Sequence, residues 1–97
     1  MLFAVVAVDQ PGSLELRMAT RKTHFDYANA TGAVRLGGPF LNEKGEMAGS
    51  LIIIEAKDLD AAKSWVANDP YTKAGLFQQS EIRPWKMTFN GCGATLE

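Results

Sequence analysis

The first apolar run of the chain, Leu2 to Val8, is unbroken and rich in β-branched residues, the pattern of a strand covered on both faces. Pro11-Gly12 ends it as a turn, and Ser13 stands where an N-cap belongs. From Leu14 to about Thr31 the periodicity becomes helical. At about 100° per residue, Leu14, Met18, Phe25 and Ala28 share one arc, predicted to face the core. Gly32 is placed to end that helix as its left-handed C-terminal residue. The segment "AVRLGGPFLN" reads as a second strand, interrupted at Gly37-Gly38-Pro39, because glycine inside a strand marks a bulge or a close backbone approach. "EKGE" reads as a hairpin turn, and "MAGSLIIIEA" returns as a third strand with a buried end.

Asp58 is predicted to cap a second helix whose Leu59, Ala62, Trp65 and Val66 point inward. Asn68-Asp69-Pro70 stops it, since the residue before a proline is pushed out of the α region. A short irregular or helical turn, "YTKAG", leads to a last strand from about Gln78 to Phe89, within which Pro84 implies an edge or a bulge. "NGCGATLE" reads as a loose tail. The order β-α-β-β-α-β predicts an α+β fold of the ferredoxin-like, split βαβ kind, an antiparallel sheet with both helices on one face. The other face is left for a second subunit or a cavity.

Composition narrows the class without naming a function. A chain of 97 residues is expected to form one small domain over residues 1–97, and a core of that size gains from oligomerisation. With 46% hydrophobic and 22% charged residues the chain is too apolar to be disordered. A net charge of −1 supplies no basic footprint for nucleic acid. The apolar runs are strand-sized, which argues against a membrane span. "MLFAVVAV" lacks the basic start and small-residue cleavage site of a signal peptide, so a first strand and a cytoplasmic protein are expected. The single cysteine, Cys92, excludes an internal disulfide and reads as an incidental thiol.

Candidate chemistry concentrates at two places. Arg17, Arg21 and His24 recur at i, i+4 and i+7 along one border of the predicted apolar arc. Such a stripe builds a half-buried polar pocket, or it is a solvated flank whose stems cover apolar surface. His24, the one histidine, is the side chain best suited to move protons near neutrality. A helix-flank histidine bonded to a carbonyl is the other reading. Zinc, which asks for three or four protein ligands, is disfavoured by one His and one Cys. No G-x-S-x-G elbow is present, and Gly37-Gly38 is too little for a dinucleotide loop. Asp69 before Pro70 is ordinary turn chemistry, or an acceptor that fixes an imidazole tautomer. Trp65, Trp85, Phe25 and the methionines are read as core and interface.

Several short motifs in order resemble the YciI-like family (YCII-related domain) of the dimeric α+β barrel superfamily. They are "MLFAVVAVD", Arg21-x-x-His24, "GAVRLGGPF", Gly49-Ser50, A-x-x-W in the second helix, "NDPYTKAGLF" and "IRPW". The resemblance implies a homodimer joined through its sheet faces, possibly assembled further, with a pocket beside each sheet. It implies His24 and Asp69 as an active-site pair and Ser50 as a third catalytic residue. Arg21, the Gly37-Gly38 backbone and Tyr71 are implied as contacts to a small anionic metabolite. The family includes a dehydrochlorinase-type lyase, taken to act on a chlorinated hydroxymuconate, and the superfamily holds isomerases and small monooxygenases. The expectation is thus a lyase or isomerase without metal or organic cofactor. A non-catalytic, metabolite-binding or structural dimer is the alternative, and a haem-binding relative is a third reading.

Overall fold

The computed structural model describes residues 1–94. Its elements run β1 (Leu2–Asp9), α1 (Leu14–Thr31), β2 (Val34–Leu41), β3 (Met47–Glu55), α2 (Leu59–Ala67), α3 (Pro70–Lys73) and β4 (Phe77–Trp85). The four strands form one antiparallel sheet in the order β2-β3-β1-β4, the ferredoxin-like arrangement. β1 and β3 are central and carry the β-branched residues, whereas Pro39 and Pro84 fall on the edge strands β2 and β4, where a missing N–H is tolerated.

Alternation along the strands decides what each face holds. Phe3 and Val5 of β1 lie opposite Ile54 and Ile52 of β3, and all four are buried with Ala62, Trp65 and Val66 of α2. Tyr27 and Ala28 of α1 complete this layer, so both helices cover the same face. The intervening residues Leu2, Ala4, Val6 and Val8, paired through Ile53 and Leu51, form the opposite face. Val8, Leu51, Phe40 and Trp85 there keep more than a third of their surface exposed.

Caps behave largely as their residue types dictate. Gly32 takes a left-handed conformation, φ 66°, and its N–H donates to Ala28 O. Asp58 accepts from Ala61 N at 2.8 Å. Asn42 closes the hairpin by accepting from Lys44 N and Glu46 N, with Gly45 at φ 79°. Ser13 departs from expectation: it precedes α1 with only its backbone carbonyl engaged, by Arg17 N, and its hydroxyl caps nothing.

Four further expectations are corrected. β2 runs unbroken through Gly37-Gly38-Pro39, and its register shifts instead between Val34 and Leu36 and between Phe40 and Leu41. The last strand stops at Trp85 rather than near Phe89, because β1, its pairing partner, begins at Leu2 opposite Trp85. The tail is ordered at Asn90, whose side chain donates to Ala94 O and accepts from Ala94 N; the part of the tail beyond residue 94 lies outside the described residues. Most consequentially, Met18 and Phe25 are about half exposed, and the buried residues of α1 are Arg17 and His24. The inner face of α1 is polar because it packs on other polar groups. The longest apolar arc points partly to solvent.

Candidate functional site

Three elements carry polar side chains to one spot. On β1 the period-2 face that buries Phe3, Val5 and Ala7 ends at Asp9, which is 7% exposed. On α1, Arg17 and His24 are two helical turns apart on the inward side. Asp69 stands at the head of α3, with Pro70 at the first helical position, where its fixed φ suits the start of a helix.

The Asp69 carboxylate does two jobs through one oxygen. Oδ1 accepts from Tyr71 N at 3.1 Å, which caps α3, and it lies 2.8 Å from His24 Nδ1. A carboxylate only accepts, so the shared hydrogen sits on Nδ1 and Nε2 is the ring's basic nitrogen. Among the described residues the one fully buried side-chain polar atom without a partner is Thr72 Oγ1. His24 Nε2 makes no hydrogen bond among the described residues and is not sealed, so it reaches open space. That space is a cavity of about 440 Å³, in the range of small-molecule sites.

The cavity is lined by Arg17, Arg21, His24 and Phe25 of α1, by Gly37, Gly38 and Pro39 of β2, by Ser50 and Ile52 of β3, and by Tyr71. Tyr71 is a wall of this site: its ring stacks on His24 with centroids 4.2 Å apart and planes 18° from parallel. The Arg17 guanidinium carbon lies 4.6 Å from the same ring's centroid. Arg17 Nε and Nη2 donate to Asp9 Oδ2 and Oδ1 at 2.7 and 2.9 Å, and Nη2 also donates to Ser50 Oγ at 2.8 Å. Burial opposes the Arg17 charge, but Asp9, and after it Tyr71, outweighs that and holds the guanidinium above its ordinary value. Burial lifts the Tyr71 phenol above its usual range, while Arg17 and Arg21 pull it partly back.

The structure therefore brings His24 and Asp69 into contact and sets Tyr71 against them. Ser50 is buried beside the cavity, yet its hydroxyl is engaged by Arg17 and makes no hydrogen bond with His24. Arg21 is exposed at the cavity, its guanidinium 5.0 Å over the Phe25 ring. Gly37 is a close-approach glycine: a Cβ there would lie 3.1 Å from Leu51 O; Gly38 has no such neighbour. Asp9 and the bidentate role of Arg17 are the features that reading the sequence missed. The period-2 phase of β1, extended one step past Ala7, would have placed Asp9 inward. Among the described residues no group of three His, Cys, Asp or Glu side chains is set to hold a metal.

Comparison with known proteins adds an independent line. The model of the YCII-related domain matches residues 1–86. Protein YciI of Escherichia coli O6:H1 is 32% identical over 98 residues, covering 92% of this chain and all of that one. An uncharacterised protein of Haemophilus influenzae matches at 32% over 99 residues with the same coverage. Among solved structures, the 5-chloro-2-hydroxyhydroquinone dehydrochlorinase of Burkholderia phenoliruptrix, in complex with 2,5-dihydroxybenzoquinone, is 37% identical. It superposes with a TM-score of 0.82 over 91% of this chain and 96% of that one. That relative is named for a cyclic hydroxyhydroquinone, not for the open-chain hydroxymuconate that the resemblance had implied. An antibiotic biosynthesis monooxygenase, 13% identical with a TM-score of 0.57, shares the fold alone. The match over residues 1–86, with relatives at 32% identity along nearly the whole length, means that this chain belongs to the YCII-related domain family.

Proposed function

We propose that the protein is a lyase or isomerase acting on a small, planar, oxygen-rich anion, with His24 as the general base and acid and Asp69 as its orienting partner. The observation that carries this reading is the His24 Nδ1–Asp69 Oδ1 contact of 2.8 Å, made between buried side chains on the wall of a cavity. Asp69 holds the tautomer that leaves Nε2 unprotonated, and its charge stabilises the imidazolium formed when Nε2 takes a proton. Proton transfer of this kind contributes about 10²–10⁴-fold to a rate. Tyr71, stacked on the imidazole, fixes its plane, and the apolar walls, including Val34 and Ile52, suit a flat ring rather than a hydrated chain. The dehydrochlorinase relative, which binds a dihydroxybenzoquinone, supports an oxygenated ring as the substrate class.

The exposed apolar sheet face supports a homodimer as the working unit. Val6, Val8, Leu51 and Phe40 are continuous on it, and a face of this kind marks an interaction surface.

The test is turnover. Chloride release from 5-chloro-2-hydroxyhydroquinone, together with isomerisation of a panel of hydroxylated quinones, is followed for the wild type and for His24→Ala. The reading predicts measurable wild-type turnover reduced about 10²–10⁴-fold in the variant. Undiminished turnover in His24→Ala removes the assignment. Tight binding without turnover by the wild type favours a metabolite-binding protein.

A further inference from the structure

Proton removal by His24 creates negative charge on the substrate, and something must receive it. The family resemblance pointed to Arg21 and to the backbone at Gly37-Gly38 as contacts to the charge that an anionic substrate already carries. Arg21 is exposed and turned over Phe25, where solvent screens its charge. We infer that the charge is received instead by an oxyanion subsite made of Arg17 Nη1 and Tyr71 Oη, an inference that rests on the proposed reaction and deepens it.

The geometry of Arg17 is the first support. Its Nε and Nη2 are committed to Asp9 and Ser50, whereas Nη1 has no hydrogen-bond partner among the described residues. Because Thr72 Oγ1 is the one sealed, unpartnered side-chain atom among the described residues, Nη1 is not sealed; Arg17 is 3% exposed, and the open space it lines is the cavity. Asp9 clamps the guanidinium from behind, so the free N–H is held rigid before any ligand arrives.

Tyr71 gives the second support by the same reasoning. The residue is 2% exposed, its Oη donates to nothing among the described residues, and yet Oη is absent from the sealed atoms. The Arg17 guanidinium acts on this phenol by charge and as a hydrogen-bond donor, so the oxygen is served while the O–H hydrogen lacks an acceptor. That is a costly state in a buried phenol unless the hydrogen finds an acceptor in function. The ring touches both His24 and the Arg17 guanidinium, so base and donors are fixed relative to one another. Preorganised donors in a site of low dielectric stabilise a developing oxyanion far more than they would in water.

The step balances without an oxidant or reductant. His24 Nε2 takes a proton from a carbon beside a carbonyl; the C–H pair becomes a C=C bond and the carbonyl π pair moves onto oxygen. That enolate or phenolate oxygen accepts hydrogen bonds from Arg17 Nη1–H and Tyr71 Oη–H. The carbonyl then re-forms, and its returning electrons expel a leaving group from the next carbon, or take the proton back from His24 at a different carbon. The ligand class is thus a ring or chain carbonyl compound able to become a planar oxyanion.

The experiment uses 2,5-dihydroxybenzoquinone, whose ring oxygens carry delocalised negative charge, titrated calorimetrically into the wild type, Tyr71→Phe and Arg21→Ala. Tyr71→Phe keeps the ring that stacks on His24, and circular dichroism reports its fold. Loss of a hydrogen bond to a charged oxygen predicts binding weakened about tenfold or more in Tyr71→Phe, and by less in Arg21→Ala. A second measurement, independent of that variant's fold, replaces tyrosine with 3-fluorotyrosine, a stronger donor; tighter binding supports the subsite and unchanged binding overturns it. Wild-type affinity retained in Tyr71→Phe overturns the subsite while leaving His24–Asp69 in place. A wild-type protein that fails to bind the quinone at millimolar concentration overturns both.

Discussion

Five buried polar or charged residues, Asp9, Arg17, His24, Ser50 and Asp69, set the character of the site. Each is satisfied by another of the five, which is the condition under which burying charge is tolerated. Removing one member of such a pair leaves the other buried and unpaired, typically at a cost of about 3–5 kcal/mol. The two phenols make a pH prediction at this same scale. Burial holds Tyr71 above its ordinary value despite the pull of Arg17, and burial with the Asp69 charge does the same for Tyr27. Between the unfolded value of about 10 and the raised native values, the unfolded chain has lost protons that the native state retains. The stability these two phenols contribute is therefore fully present below about pH 10 and is lost as pH rises beyond it. Denaturant unfolding at stepped alkaline pH, alongside tyrosinate absorbance, checks this; tyrosinate forming below pH 10 in the folded protein contradicts it. In the sequence, His24 and Asp69 were legible as candidates from residue type and position, while their pairing was implied by the family resemblance alone. Forty-odd residues separate them, and no local periodicity reports a long-range pairing.

Among the elements, the strands and both long helices could be read from period and turn residues, because β1, β3 and α2 obey the apolar patterns of their burial. The inward face of α1, unlike its span, could not, since the buried side carries Arg17 and His24 and the apolar arc is partly wet. A helix that lines a polar cavity inverts the rule by which faces are assigned. Its far end is tied by packing chemistry instead: Tyr27 Oη donates to Trp65 O at 2.7 Å, and Trp65 Nε1 donates to Thr31 Oγ1 at 2.9 Å. Strand spacing makes a sharper prediction. A Cβ at Gly49 would run into the carbonyl of Ala7 on β1 and press on Phe40, so the glycine before Ser50 keeps β1 and β3 at ladder distance. Gly49→Ala is expected to cost about 1–3 kcal/mol, the usual range for overpacking. An unchanged urea midpoint would show that the strands part without penalty.

For the molecule as a whole, the β-α-β-β-α-β order led directly to the sheet and to both helices on one face, because few topologies accommodate that order. The same architecture leaves the Val6–Leu51 face without a covering layer. A charge placed on that face, as in Leu51→Arg, is expected to turn the proposed dimer into a monomer by light scattering after size exclusion. A wild-type monomer would contradict the dimer. No helix among the described residues is long and apolar enough to cross a membrane. The central claim, however, concerns one imidazole, and a chain with a single histidine allows it to be watched without ambiguity. The most direct measurement is nitrogen NMR of ¹⁵N-labelled histidine at a pH where the ring is neutral, before and after adding 2,5-dihydroxybenzoquinone. The account predicts a proton on Nδ1, held by Asp69, and a resonance of Nε2 that moves when the anion binds. A proton on Nε2, or an Nε2 signal indifferent to saturating ligand, would contradict it.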